Sequence, residues 1–287
     1  QDGQTVSQWL QAEMKYLSAY TLPFPLVDRA ATLRTREFER RGFSTVIRFP
    51  LKSAAARASV VERLTALQPR DLLFLPRLSC LTLDPGDGRR QLTRRQQPRA
   101  DSVHRGYELT IEGGGGAEPD RFLVWERVLA LTGAPEPVQA SITQLPGRWP
   151  LLRHATVSIA VPTVVVPEPG TFSIFLPTPL ETGLATHVNA PFFGDMSRTH
   201  IDFGDAESGT ESPAAVYNSY LLGQAAELAV AVISEELAGQ SIEDACAIVD
   251  LLAPCGQSTP AIERWNRRIV DAAKARELSV SSANWLH

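Results

Sequence analysis

The chain has 287 residues, enough for one large or two ordinary domains. Hydrophobic residues make up 44% and charged residues 21%, both globular values, and a formal net charge of −4 argues against general nucleic-acid binding, which requires a basic surface. Three cysteines, Cys80, Cys246 and Cys255, give no even disulfide framework and no CxxC, which fits a reduced cytoplasm, and no apolar run approaches the ~20 residues a membrane helix needs.

The first residue is Gln, no charged-then-apolar leader is present, and the pattern starts abruptly, so a fragment of a larger protein is expected. Residues 1–20 read as an amphipathic helix carrying Trp9, Leu10, Met14 and Leu17, capped by Thr5 or Ser7 and broken at Leu22-Pro23-Phe24-Pro25. Residues 27–41, rich in Arg and Glu, read as a connector. Ser44 to Leu51 is a strand, β-branched at Thr45, Val46 and Ile47, with Pro50 marking its end. A helix follows over 54–67, capped by Ser53, with Val60, Val61, Leu64 and Leu67 on one side. Leu72 to Leu83 is mostly apolar and is expected to be buried.

Pro85 to Gly88 is a turn, and Gln91–Gln97 with Val103–Glu112 reads as a hairpin. The arginines near its first strand (Arg89, Arg90, Arg94, Arg95) are taken as a solvated face. The glycine run Gly113–Gly116 is followed by Ala117-Glu118-Pro119-Asp120 and not by a Lys or a helix start, so it reads as a hairpin-end loop and not a phosphate cradle. Arg121–Leu131 is apolar and carries Trp125 and Val128, and its periodicity does not decide between strand and helix; residues 132–150 with their prolines and glycines read as a loop, and Ala155–Val166 as a strand.

The most informative stretch runs from Thr171 to Asp202. Phe172–Leu176 reads as a buried strand ended by Pro177 and Pro179, Glu181-Thr182-Gly183 as a turn, and Thr186–Phe193 as a second strand. A polar knot, Asp195-Met196-Ser197-Arg198, leads into a third short strand, Thr199–Phe203. Beyond it, Ser212-Pro213 reads as the cap and first position of a long helix reaching Leu237, followed by helices over Ile242–Leu252 and from Pro260 to about Leu278. These elements predict an α/β (α+β) fold of mixed sheets and packed helices with a helical C-terminal segment.

Several of these motifs together resemble the sacsin family, whose members pair a nucleotide-binding domain of the Hsp-ninety/gyrase/histidine-kinase type with a following domain. The matching residues are Phe175-Leu176-Pro177, Thr186-His187-Val188-Asn189, Phe192-Phe193 and Ser197-Arg198. Upstream, Gly42–Leu51 resembles the strand that closes the nucleotide-binding domain, Asp71–Asp84 resembles the segment after it, and the family's Trp-bearing strand in the region of Trp125 implies a strand over Phe122–Arg127. The helix start Tyr217-Asn218-Ser219-Tyr220-Leu221-Leu222 matches except that Tyr217 stands where the family has Trp. The resemblance covers roughly residues 40–240.

It implies three parts: residues 1–52 as the end of a nucleotide-binding domain, 53–240 as a transducer-like α/β region, and 241–287 as a helical C-terminal segment. It also implies an ATP-dependent, chaperone-like or machine-type ATPase acting on Mg-ATP in the full-length protein. The partners implied are the upstream nucleotide-binding domain and a protein client or partner subunit. Thr45 would meet the adenine region. Arg198 would reach back to the γ-phosphate, where a fixed cation stabilises developing charge. The ATP-site signatures themselves, a helix with Glu and Asn and an Asp-x-Gly-x-Gly lid, are missing from the chain, so alone it is expected to be inactive.

Simpler readings stand beside these. Thr45 is also a good strand residue, and Arg198 has Asp195, Asp202 and Asp205 as local partners. The chain would then be a non-catalytic interaction or scaffold domain. His187, His200 and the aspartates also raise a metal-dependent hydrolase, although no ligand-spacing motif is present; His187 and Asn189 read more simply as residues that brace a strand.

Overall fold

The computed structural model describes residues 36–43, 51–85, 88–99, 105–113, 118–163, 168–195, 200–204, 211–237 and 259–275. Ser44–Pro50, the helix over 1–20 and the helix over Ile242–Leu252 lie outside the described residues. The chain divides into two units, Gln1–Ser59 and Val60–His287.

In the first unit a helical turn covers residues 36–40, and Phe38 and Phe43 stack edge to face at 5.8 Å. Helix α1, Ala54–Ala66, begins there, and Ser53 Oγ accepts the Ala56 amide as its cap. The expected apolar face of α1 is not covered: none of its residues is buried.

The second unit is built on one eight-stranded mixed sheet in the order β1-β2-β3-β4-β5-β8-β6-β7. Its strands are β1 (Cys80–Leu83), β2 (Arg90–Pro98), β3 (Arg105–Glu112), β4 (Asp120–Ala130), β5 (His154–Pro162), β6 (Thr171–Ile174), β7 (Leu176–Glu181) and β8 (His187–Asn189). Every adjacent pair is antiparallel except β6 and β8. The α+β class with a helical C-terminal part is as the sequence predicts.

Side-chain alternation sends the two faces of β4 and β5 to different cores. Trp125 and Leu129 on β4 and Val157, Ile159 and Val161 on β5 join the larger core. Phe122, Val124 and Ala160 face the other way, into a smaller core with Leu92, Leu109 and Ile111. A 3-10 turn, Pro69–Leu72, and the residues after it cover this smaller core with Leu72, Leu73 and Phe74. The expected burial of Leu72–Leu83 therefore holds at its two ends, whereas Cys80 is exposed.

Among the described residues three helices cover the larger core: α2 (Glu136–Gln144), α3 (Pro213–Leu237) and α4 (Pro260–Ala275). Helix α3 packs on β5 and lies against both α2 and α4. Residues 228–233 are buried on every side, whereas Glu227 is exposed, and the helix's many alanines (Ala225, Ala226, Ala229, Ala231) allow that close approach. Each fully buried Leu here, such as Leu221, Leu222 or Leu228, contributes about 2 kcal/mol of transfer free energy. Helix α4 turns Ile262, Trp265 and Ile269 inward, and Trp265 meets Phe172 of β6 edge to face at 6.1 Å. Gly183, at φ +71, gives α4 room: a Cβ there would lie 3.1 Å from Ile262 Cγ1.

Five local expectations change. Residues 132–150 are not a plain loop, because α2 lies within them; Pro137 sits in its first turn, where proline needs no N–H partner. Pro177 and Pro179 do not end the strand but lie inside β7, the outermost strand, where missing donors cost least. The second strand of the central stretch shrinks to His187–Asn189, and within the described part of Thr199–Phe203 there is no strand, only a bridge between Gly194 and Ile201. Arg94 is not part of a solvated face. It is 6% exposed, donates to Leu73 O at 3.4 Å and lies over the Tyr107 ring.

Candidate functional site

The conspicuous sequence of the central stretch folds as a polar-laced corner. Thr178 Oγ1 donates to Phe172 O at 2.7 Å, tying β7 to β6. Thr182, fully buried, has Oγ1 2.9 Å from Leu184 O and 2.8 Å from Thr186 O, closing the turn before β8. Gly170 threads beneath it: its N–H donates to Leu184 O at 2.6 Å and its carbonyl accepts from Thr182 N at 2.8 Å.

His187 and Asn189 both brace the backbone here, as read from the sequence. His187 Nδ1 accepts the Thr171 amide at 3.1 Å, which places its proton on Nε2. Burial, with the nearby Arg70 charge, pulls its pKa down to about 4, so the ring is neutral at pH 7. Asn189 Oδ1 accepts the amide of Phe175 at 2.8 Å and holds that residue at φ +64 between β6 and β7.

Arg198 and Thr45 lie outside the described residues, but the frame on each side of Arg198 is well defined. Asp195 N donates to His200 O at 3.2 Å, His200 N donates back to Asp195 Oδ1 at 3.3 Å, and Gly194 pairs with Ile201. This frame is fastened to the first turns of α3. Asn218, fully buried, accepts from Phe193 N at 2.7 Å and donates to Phe193 O and Asp202 O, each at 2.8 Å. Tyr217 Oη donates to Pro191 O, and Ser219 Oγ donates to Phe203 O at 2.8 Å. Three consecutive side chains of α3 thus bind both flanks of the 196–199 segment.

Asp202 is committed to the helix start. Its Oδ1 accepts Gly204 N at 2.7 Å, and its Oδ2 accepts from Ser212 Oγ at 2.6 Å, while Ser212 Oγ accepts the Ala215 amide as the α3 cap. Among the described residues no group of three or more His, Cys, Asp or Glu side chains is placed to hold a metal ion. No described helix is long and apolar enough to cross a membrane.

Sequence reasoning gave Asn218 no role. The signal was present: a carboxamide directly beside Tyr217 and three residues before Leu221, on the apolar side of an otherwise hydrophobic helix, must find partners when buried. No protein-family model matches the chain, and neither a curated protein nor a solved structure matches it.

Proposed function

We propose that this chain is the transducer-like part of a sacsin-like ATPase, coupling the nucleotide state of an upstream domain to conformational change, with Arg198 as the γ-phosphate contact. In this reading residues 1–52 close the nucleotide-binding domain, Thr45 meets the adenine region, 53–240 transmit the change, and 241–287 form a helical extension. Mg-ATP is bound in the full-length protein, which works as a chaperone-like or other protein machine.

The observation that carries the reading is the fastening of both flanks of residues 196–199 to α3 through Asn218. A cation acting on a transferring phosphoryl group is effective when it needs no reorganisation at the moment of reaction. Its mount therefore has to be rigid, and a buried carboxamide with its oxygen and both amide hydrogens used provides that rigidity. Helix α3, packed between the sheet and two other helices, then carries displacement of this mount into the body of the unit.

The test is Arg198→Ala in the full-length protein. Turnover should fall roughly 10²–10³-fold, the scale for removing one charge-stabilising donor, with an unchanged thermal melt. Unchanged turnover would instead mark the chain as a non-catalytic interaction domain.

A further inference from the structure

A groove of about 910 Å³ opens beside His187, away from the Asn218 mount, and its walls include Arg70, Asp120, Phe122 and Glu168. His187 is only 7% exposed, and Phe122 closes on its ring edge to face at 5.8 Å. With Nδ1 spent on Thr171, the Nε2–H is left with no hydrogen-bond partner among the described residues. A largely buried imidazole on the wall of a groove, fixed in its tautomer and neutral, can present its N–H to an acceptor brought by a ligand.

The surrounding charges narrow that ligand. Arg70 lies close enough to depress the His187 pKa and to hold down that of Asp120, which burial and Glu168 push up. Arg70 pairs with Glu168, and both side chains also wall a second hollow of about 400 Å³, so this ion pair bridges the two spaces. The bridge is exposed (42% for Arg70, 62% for Glu168), the kind of pair that an incoming carboxylate displaces readily. A simple anion would have the Arg70, Arg121 and His187 donors but would face Glu118, Asp120 and Glu168. A simple cation would find those carboxylates but would leave the His187 N–H unmet beside a guanidinium.

We propose that the groove binds a small zwitterion of short-peptide size. The His187 Nε2–H and the Arg70 guanidinium take its carboxylate in place of Glu168, and Asp120 with Glu118 takes its ammonium. The Phe122 ring supplies the apolar wall between the two ends. This site stands apart from the Arg198 reading and does not depend on it.

The experiment is heteronuclear NMR of the chain, following the His187 imidazole and the Thr171 amide while trialanine is added. Saturable shifts are expected, with Kd in the millimolar range, and N-acetyl-trialanine and trialanine amide should each bind at least about tenfold more weakly. His187→Asn should remove binding at least tenfold while keeping an acceptor for the Thr171 amide. Arg70→Gln, which changes only an exposed pair, should weaken binding similarly and decides the matter if the first variant does not fold. The proposal is overturned if trialanine causes no shift, if capped peptides bind equally well, if acetate or inorganic phosphate binds as tightly as trialanine, or if Arg70→Gln leaves affinity unchanged.

Discussion

Replacing Asn218 by Ala removes three hydrogen bonds of 2.7–2.8 Å from a fully buried position. At about 1 kcal/mol net for each, the loss is about 3 kcal/mol; it approaches about 5 kcal/mol where no water reaches the orphaned Phe193 and Asp202 groups. Asn218→Asp keeps the acceptor for Phe193 N but turns an oxygen toward two carbonyls, so at neutral pH it should cost at least as much. Urea denaturation monitored by circular dichroism measures the global term. Amide exchange at Phe193 measures the local one and should accelerate on alanine substitution beyond what the global loss explains. Stability within about 1 kcal/mol of the parent, together with unaltered protection at Phe193, would refute the claim that α3 holds this segment.

Gly170→Ala should destabilise the second unit by several kcal/mol, because its Cβ would lie 2.5 Å from the Thr186 carbonyl carbon and 2.8 Å from His187 N, backbone atoms that cannot step aside. Failure of thermal melts to separate this variant from the parent would remove the argument. His187 should give stability an acid-side slope: its folded pKa of about 4 lies below the roughly 6.5 of an unfolded chain, so the unfolded state takes up the proton first. The associated stability is fully present above pH 6.5 and is lost as the pH falls toward 4, by about 3 kcal/mol in all. Denaturation midpoints over that range, with His187→Asn as the control lacking this slope, check the sign.

The strands and helices that the sequence revealed most clearly are those where periodicity and end signals agree. Ser212-Pro213 marked the α3 start because a capping hydroxyl and an N1 proline act locally, and β5 followed from its alternating apolar pattern, whereas the apolar run of β4 alone left strand and helix open. The missed features depend on distant neighbours. Pro135 and Pro137 signal a break on either reading, and only the packing of Val138 and Ile142 against the core makes that region a helix. Pro177 and Pro179 are tolerated because β7 has a neighbour on one side only, a property of sheet order and not of local sequence. Arg94 reads as surface until Leu73 and Tyr107 are seen to enclose it. For the site, His187 and Asn189 were legible as braces, whereas the Asn218 anchorage joins residues 25 apart and the His187 groove joins positions from Arg70 to His187.

The two prolines of β7 also govern how copies of this molecule can meet. An outer strand that lacks two amide donors offers a poor template for a further strand, so cross-molecule sheet growth, the usual route to aggregation, is discouraged on that margin. Among the described residues the opposite margin, the four residues Cys80–Leu83, contains no proline and carries an exposed thiol, so strand-to-strand association or oxidative coupling of two copies is less opposed there.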